Sequence, residues 1–102
     1  MRLRDLDPQF RLWMPGHSLG KTDSASNAQG ITFECPAHSD THSSHWILVW
    51  FKDRGVPAEA KPLYRWGASG TSYDDLTLTP SINAQGSDPK CWHGFITNGE
   101  AT

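Results

Sequence analysis

Apolar and polar residues alternate over several short segments of the chain, and polar stretches separate these segments. Residues 9–14 (QFRLWM) place Phe10, Leu12 and Met14 on one face, which is the pattern of a half-buried strand. No segment repeats apolar residues with the 3.6-residue period of an amphipathic helix. The pattern therefore predicts a mainly β fold, a small single-domain antiparallel sheet or sandwich with long loops. Further strands are predicted over residues 31–35, 45–51, 63–66, 76–79 and 91–97.

Three positions along this pattern carry more specific predictions. Residues 45–51 (HWILVWF) are apolar on both faces, which is typical of a central strand covered on both sides. Pro80 should end the strand before it, because proline cannot donate a backbone hydrogen bond to a neighbouring strand. Asn98-Gly99 is a strong hairpin-turn signal so close to the end of the sequence that the last strand is expected to leave an exposed edge.

Residues 15–30 are rich in Gly, Ser, Asn and Asp and contain a single leucine. This composition predicts a long exposed loop. With 102 residues, of which 36% are hydrophobic, the whole chain (residues 1–102) is expected to form one domain with a thin core. Domains of this kind often gain stability from a metal ion or a disulfide.

Net charge and apolar content indicate which binding partners and which cellular compartment to expect. The formal net charge is −2, without the basic excess of an electrostatically driven nucleic-acid binder. No apolar run is as long as a membrane span, and the N-terminal residues lack the apolar block of a signal peptide. We therefore expect a cytoplasmic protein without membrane contact, and in that compartment a disulfide is disfavoured.

Cysteine and histidine recur at spacings that suit a metal site. Cys91 and His93 are two residues apart on a predicted strand, so their side chains are expected on the same side. His38 follows Cys35 with the Cys-x-x-His spacing of a zinc knuckle. If the two strands that flank this loop pair as a hairpin, His45 returns close to Cys35.

The chemistry of these donors favours Zn²⁺, because Mg²⁺ and Ca²⁺ prefer oxygen ligands. Four protein ligands would make the site structural. The alternatives are free buried thiols and a disulfide. The predicted ligands are Cys35, Cys91, His93 and one of His38, His45 and His42, in that order of preference.

Residues that would mark an enzyme form weaker patterns. A catalytic zinc needs an open position and a general base; Asp40 is the nearest acid, and the chain has no HExxH motif. Ser81 lacks the glycine-rich strand-turn-helix context that exposes a nucleophilic serine, so we expect it to cap a turn. Trp66 and Trp92 are candidates for stacking on nucleic-acid bases, although packing is their favoured role.

Four phrases, GITFECP, HWILVWF, LTLTPSI and CWHGFITNGE, lie between residues 30 and 100. Together they resemble an uncharacterised family of small phage and prophage proteins, which combines a Cys-Pro pair, a Leu-Thr-Pro-Ser-Ile stretch and a C-terminal Cys-x-His-Gly-Phe-Ile motif. The resemblance implies a zinc site through Cys35, Cys91 and His93, and an intracellular place of action in a bacterial host cell. It implies no activity.

The sequence therefore favours a binding or interaction module, held together by structural zinc, that acts on a host or phage protein and is not an enzyme. A zinc-dependent hydrolase, nuclease-like in its substrate, is the first alternative, and a single-stranded nucleic-acid binder is the second. An exposed last strand could pair with a strand of a partner or of a second copy. Self-association through the C-terminal edge is therefore a further expectation.

Overall fold

The computed structural model describes residues 1–14, 16, 18–37, 45–60, 62, 64–85 and 91–102. This part of the chain is mainly β, as the sequence predicted, with short 3₁₀ helices at Leu3–Leu6 and Ala58–Ala60. A helix long and apolar enough to cross a membrane is not found in it. The strands are β1 (Gln9–Met14), β2 (Ser18–Thr22), β3 (Gly30–Glu34), β4 (Trp46–Phe51), β5 (Arg65–Ser69), β6 (Thr77–Asn83), β7 (His93–Thr97) and β8 (Glu100–Ala101).

The strands form one sheet in the order β2-β1-β3-β4-β5-β6-β7-β8. Neighbouring strands are antiparallel, as expected, except for β4 and β5, which run parallel. A parallel pair needs a crossover connection instead of a tight hairpin, and residues 52–64 provide it. The described β4–β5 ladder contains two residue pairs, Trp50 with Arg65 and Phe51 with Trp66.

The inner faces of the two halves of the sheet pack against each other around one core. Phe33 of β3 meets Trp92 edge-on, with ring centroids 6.0 Å apart, and Phe10 of β1 stacks on Tyr73 at 4.4 Å. Burying a side chain as large as phenylalanine stabilises the fold by roughly 1.5–3 kcal/mol. A few aromatic side chains therefore compensate for the low apolar content.

Strand β2 lies within residues 15–30, which the sequence predicted as an exposed loop. It pairs with β1 from Phe10–Thr22 to Met14–Ser18. An edge strand is held by the backbone of one neighbour and needs no apolar face, so the polar composition did not reveal it. Pro15 and His17 lie outside the described residues.

Strand β6 continues through Pro80, where the sequence predicted its end. The register with β7 shifts between Leu78 and Ile82, as in a β-bulge, and the Thr79–Pro80 peptide is cis. A bulged residue needs no ladder donor. The prediction was wrong because a bulge accommodates proline within a strand.

Strand β4 is covered on one face only over its first half. Ile47 and Val49 point into the core, whereas Trp46 is 45% exposed and Leu48 41% exposed. The prediction of a strand buried on both sides therefore holds only near its end, where Trp50 is buried. The physical reason is that the β4–β5 ladder begins at Trp50, so no described strand lies beside the first half of β4 on that side.

The C-terminal edge of the sheet is covered. Asn98 and Gly99 both have positive φ, 48° and 75°, as a two-residue hairpin turn requires. Beyond β8, the Ala101 amide donates to the Met1 carbonyl at 2.7 Å and the Leu3 amide donates to the Gly99 carbonyl at 2.8 Å. The exposed last strand, which was the reason to expect self-association there, is not found.

Candidate functional site

Three side chains that ordinarily bind metals meet at one end of the sheet. One ligand atom from each of Cys35, His45 and Cys91 lies within 4.8 Å of the other two. The Cys91 Sγ and His45 Nδ1 atoms are 3.3 Å apart. These three groups lie close enough together to bind a metal ion.

The strand register explains why they meet. Strands β3 and β4 pair as a hairpin, and the Cys35 amide donates to the His45 carbonyl at 2.8 Å. The predicted return of His45 to Cys35 is thus confirmed. Cys91 comes from the other half of the sheet, where the Ala84 amide donates to the Trp92 carbonyl at 2.9 Å and the Trp92 ring contacts Phe33 of β3.

The group is largely shielded from water. Cys35 and Cys91 are buried and His45 is half-buried. Two sulfur donors and one imidazole suit a borderline-soft metal better than an oxygen-preferring one. Burial of both sulfur atoms is typical of a site that stabilises the fold.

The other predicted ligands have different outcomes. His93 is exposed, and it is not one of the three groups whose ligand atoms meet. Its side chain was expected beside Cys91 because alternate strand residues share a face, but β7 begins only at His93, so the alternation does not extend back to Cys91. His38 and His42 lie outside the described residues.

A second group of polar side chains lies on the outer face of β6 and β7. The register pairs Ile82 with Gly94 and Asn83 with His93. Ile82 and Gly94 are buried, so Asn83 and His93 lie on the opposite, outer face. Ser81 precedes Ile82 on the same strand, within the stretch where the register with β7 shifts, and it is two residues from Asn83, the register partner of His93.

Asn83 is directly opposite His93. The bond from the Ala84 amide to the Trp92 carbonyl makes Asn83 and His93 a non-hydrogen-bonded pair, because bonded and non-bonded pairs alternate along an antiparallel ladder. Side chains of such a pair approach more closely than those of a bonded pair. The backbone of Ser81 is fixed on the other side, where its carbonyl accepts a hydrogen bond from Trp66 Nε1 at 3.1 Å.

Comparison with known proteins gives one match. The family described as bacterial ubiquitination-like system serine protease (BubE) matches residues 8–102. The chain belongs to the BubE family. No curated protein and no solved structure matches significantly. The match indicates a small bacterial family, and both the phage and prophage motif pattern and the phage origin stay predictions.

In this BubE chain, sequence reasoning missed that Ser81 lies on the strand next to that of His93. Ser81 was expected to cap a turn after Pro80, but it is a half-buried strand residue of β6, and β6 pairs with β7. This was hidden by the assumption that the strand stops at Pro80.

Proposed function

We propose that this protein is a serine peptidase that acts in a bacterial ubiquitination-like system. Ser81 is the nucleophile and His93 is its general base. The group of Cys35, His45 and Cys91 holds a structural Zn²⁺. The observation that carries the proposal is the position of Ser81 and His93 on two paired strands, β6 and β7, in a chain whose family is described as a serine protease.

The residues are assigned by elimination within the described part of the chain. A serine nucleophile needs a neighbouring base, most often histidine. Of the two described histidines, His45 contacts Cys91 and His93 is exposed at the surface. Among the described serines, Ser81 lies on the strand paired with that of His93.

In the proposed reaction, His93 accepts the Ser81 hydroxyl proton as Oγ attacks the carbonyl carbon of the scissile peptide bond. The leaving amine takes the proton from His93, and water then hydrolyses the acyl-enzyme by the same route in reverse. The proposed step requires the His93 ring to turn towards Ser81 when substrate binds, as in other sites whose hydrogen bonds tighten only in the complex. Asn83 is the register partner of His93, and its Oδ1 accepts a hydrogen bond from the Gln85 amide at 2.9 Å, so it would orient the ring through its remaining hydrogen-bonding capacity.

The proposed zinc supports this face without taking part in the chemistry. Thiolate and imidazole ligands suit Zn²⁺, and a zinc bound by Cys91 would fix the chain two residues before His93. The segment 38–44 lies between Cys35 and His45 in the sequence and carries His38 and His42, the predicted sources of a fourth ligand. The protein partner expected from the sequence is, in this proposal, the protein substrate.

Labelling with a serine-reactive fluorophosphonate, mapped by mass spectrometry, tests the nucleophile. We expect the label on Ser81, its loss in Ser81→Ala, and a loss of roughly 10²–10⁴-fold in peptide hydrolysis in His93→Gln, which removes the general base. Ser26→Ala, at an exposed loop serine, serves as the matched control and should retain full activity.

Full activity in Ser81→Ala, or a label on a different serine, would refute the assignment. If a chelator abolishes hydrolysis while the protein remains folded, and Ser81→Ala remains active, the zinc-dependent hydrolase is the better account. Elemental mass spectrometry of protein purified without a His-tag measures the metal directly, with about one zinc per chain expected for a single structural site.

A further inference from the structure

A groove of about 380 Å³ opens between β4 and β6. One wall is the first half of β4, and the other is the end of β6 and the residue after it, Ile82 to Ala84. Ala60, Pro62 and Tyr64, from the segment before β5, also line it. The aromatic side chains that line the groove are Trp46, Trp50, Tyr64 and Trp66.

The groove exists because β5 separates its two neighbours over only part of their length. Strand β5 begins at Arg65, opposite Trp50 of β4, and its ladder with β6 starts at Gly67 and Thr79. Before Arg65, no described strand lies between the start of β4 and the end of β6. The sheet is therefore split at this end.

Backbone groups on the β4 wall point into the split. The Cys35 amide donates to the His45 carbonyl, and the Phe51 amide donates to the Gln29 carbonyl, so the odd-numbered residues of β4 bond towards β3. The even-numbered residues Trp46 and Leu48 therefore direct their amide and carbonyl groups towards the groove. An extended peptide can add to such an edge as a further strand.

The composition of the groove selects the kind of peptide. Its described lining contains no Asp, Glu, Lys or Arg, so a charged segment would lose hydration without gaining an ion pair. Trp46 and Tyr64, which are 45% and 50% exposed, offer apolar contact area. Asn83 belongs to the groove wall and is also the register partner of His93, so one residue joins the groove to the proposed general base.

We infer that the groove binds the substrate as an extended, uncharged peptide segment, which pairs with the first half of β4 and places an apolar side chain against Trp46 and Tyr64. This inference rests on the proposed function, because it makes the groove the substrate subsite beside Ser81. The selected substrate is a protein with an accessible, uncharged and partly apolar strand next to the bond that is cleaved.

The test is a positional-scanning library of N-acetylated, C-amidated octapeptides, with binding to the Ser81→Ala variant followed by tryptophan fluorescence. At one position, apolar residues should bind at least about tenfold more tightly than Asp or Lys, and Trp46→Ala should weaken the best peptide roughly tenfold, as loss of an apolar pocket contact does. Leu19→Ala is the matched control, because Leu19 is 43% exposed on β2 at the other end of the sheet and should bind unchanged.

Equal binding of apolar and charged peptides, or equal losses in Trp46→Ala and Leu19→Ala, would overturn the inference. A concentration-dependent dimer that Trp46→Ala abolishes would also overturn it, because the groove would then hold a second copy of the chain. Peptides that bind with the expected preference but are not cleaved by the wild-type protein would leave the inference standing and refute the peptidase. Cleavage by the wild-type protein without any preference for apolar over charged peptides would refute the inference and leave the proposed peptidase standing.

Discussion

Replacing Cys91 with serine tests the metal site more sharply than any other single change. Cys91 is the one described ligand that comes from the second half of the sheet, while Cys35 and His45 flank the β3–β4 hairpin. A metal bound by all three would therefore cross-link distant parts of the chain. Removing the Cys91 thiolate removes that cross-link and leaves the hairpin ligands in place.

The expected loss of stability follows from the length of the chain segment that the metal closes into a loop. Cys35 and Cys91 are about 56 residues apart, and cross-linking a loop of this length lowers the entropy of the unfolded state by an amount worth about 4 kcal/mol at 25 °C. A domain of this size is stable by roughly 5–15 kcal/mol. Loss of the link is therefore expected to lower the thermal midpoint by roughly 15–30 °C, or to unfold the protein outright.

Thermal unfolding followed by tryptophan fluorescence measures this loss. A strong chelator should lower the midpoint of the wild-type protein by the same amount as Cys91→Ser and should leave the midpoint of the variant unchanged. Cys35→Ser leaves His45 and Cys91 to link the two halves of the sheet, so it should lower the midpoint less than Cys91→Ser does. If the wild-type midpoint is insensitive to chelator and Cys91→Ser costs only about 1–2 kcal/mol, the cysteines are ordinary packing residues and the structural metal is wrong.

Two further predictions concern turns. Gly99 has a φ of 75°, and a Cβ there would collide with the Asp74 carbonyl. Gly99→Ala should therefore lower the free energy of unfolding by more than about 2 kcal/mol, against about 1 kcal/mol for Gly16→Ala, where φ is 93° and the space is open. Equal losses for the two variants in urea unfolding would contradict this. Backbone hydrogen bonds from Ser72 and then Thr71 lower the pKa of the Asp75 carboxyl group from its ordinary value of 3.8. The ionised carboxylate therefore stabilises the folded state fully at pH values above 3.8, and this stabilisation is lost as the pH falls through the lowered pKa. The midpoint difference between wild type and Asp75→Asn should therefore shrink on acidification, and a difference independent of pH would refute the role of the carboxylate.

Much of the fold could be predicted from alternation alone. Strand β1 spans the six residues that the pattern indicated, and the apolar segments that begin near Ile31 and Trp46 pair as a hairpin. What could not be predicted depends on partners distant in sequence. Strand β2 has no continuous apolar face, and it pairs with β1 alone, with one further hydrogen bond from the Gln9 side chain to the Thr22 carbonyl.

In the candidate site too, local sequence pattern predicts some positions, whereas others depend on residues distant in sequence. Cys35 and His45 are joined by a hairpin, which local pattern can anticipate, and Cys91 was identified by its proximity to His93 in sequence. The separation of Cys91 from His93 into a buried and an exposed residue depends on where β7 begins, which sequence patterns locate poorly. Ser81 depended on a bulge that keeps a proline inside β6.

The short parallel ladder between β4 and β5 has a consequence for how the molecule comes apart. It divides the sheet into two antiparallel units. Because the described ladder contains two residue pairs, few backbone hydrogen bonds between the units have to break when one unit opens without the other. A metal bound by Cys35, His45 and Cys91 would join them, so the loaded protein would exchange its amide hydrogens as one cooperative foldon and the stripped protein as two. Stripped molecules would be cut more readily by cellular proteases, and the amount of this protein in a cell would then follow the supply of metal.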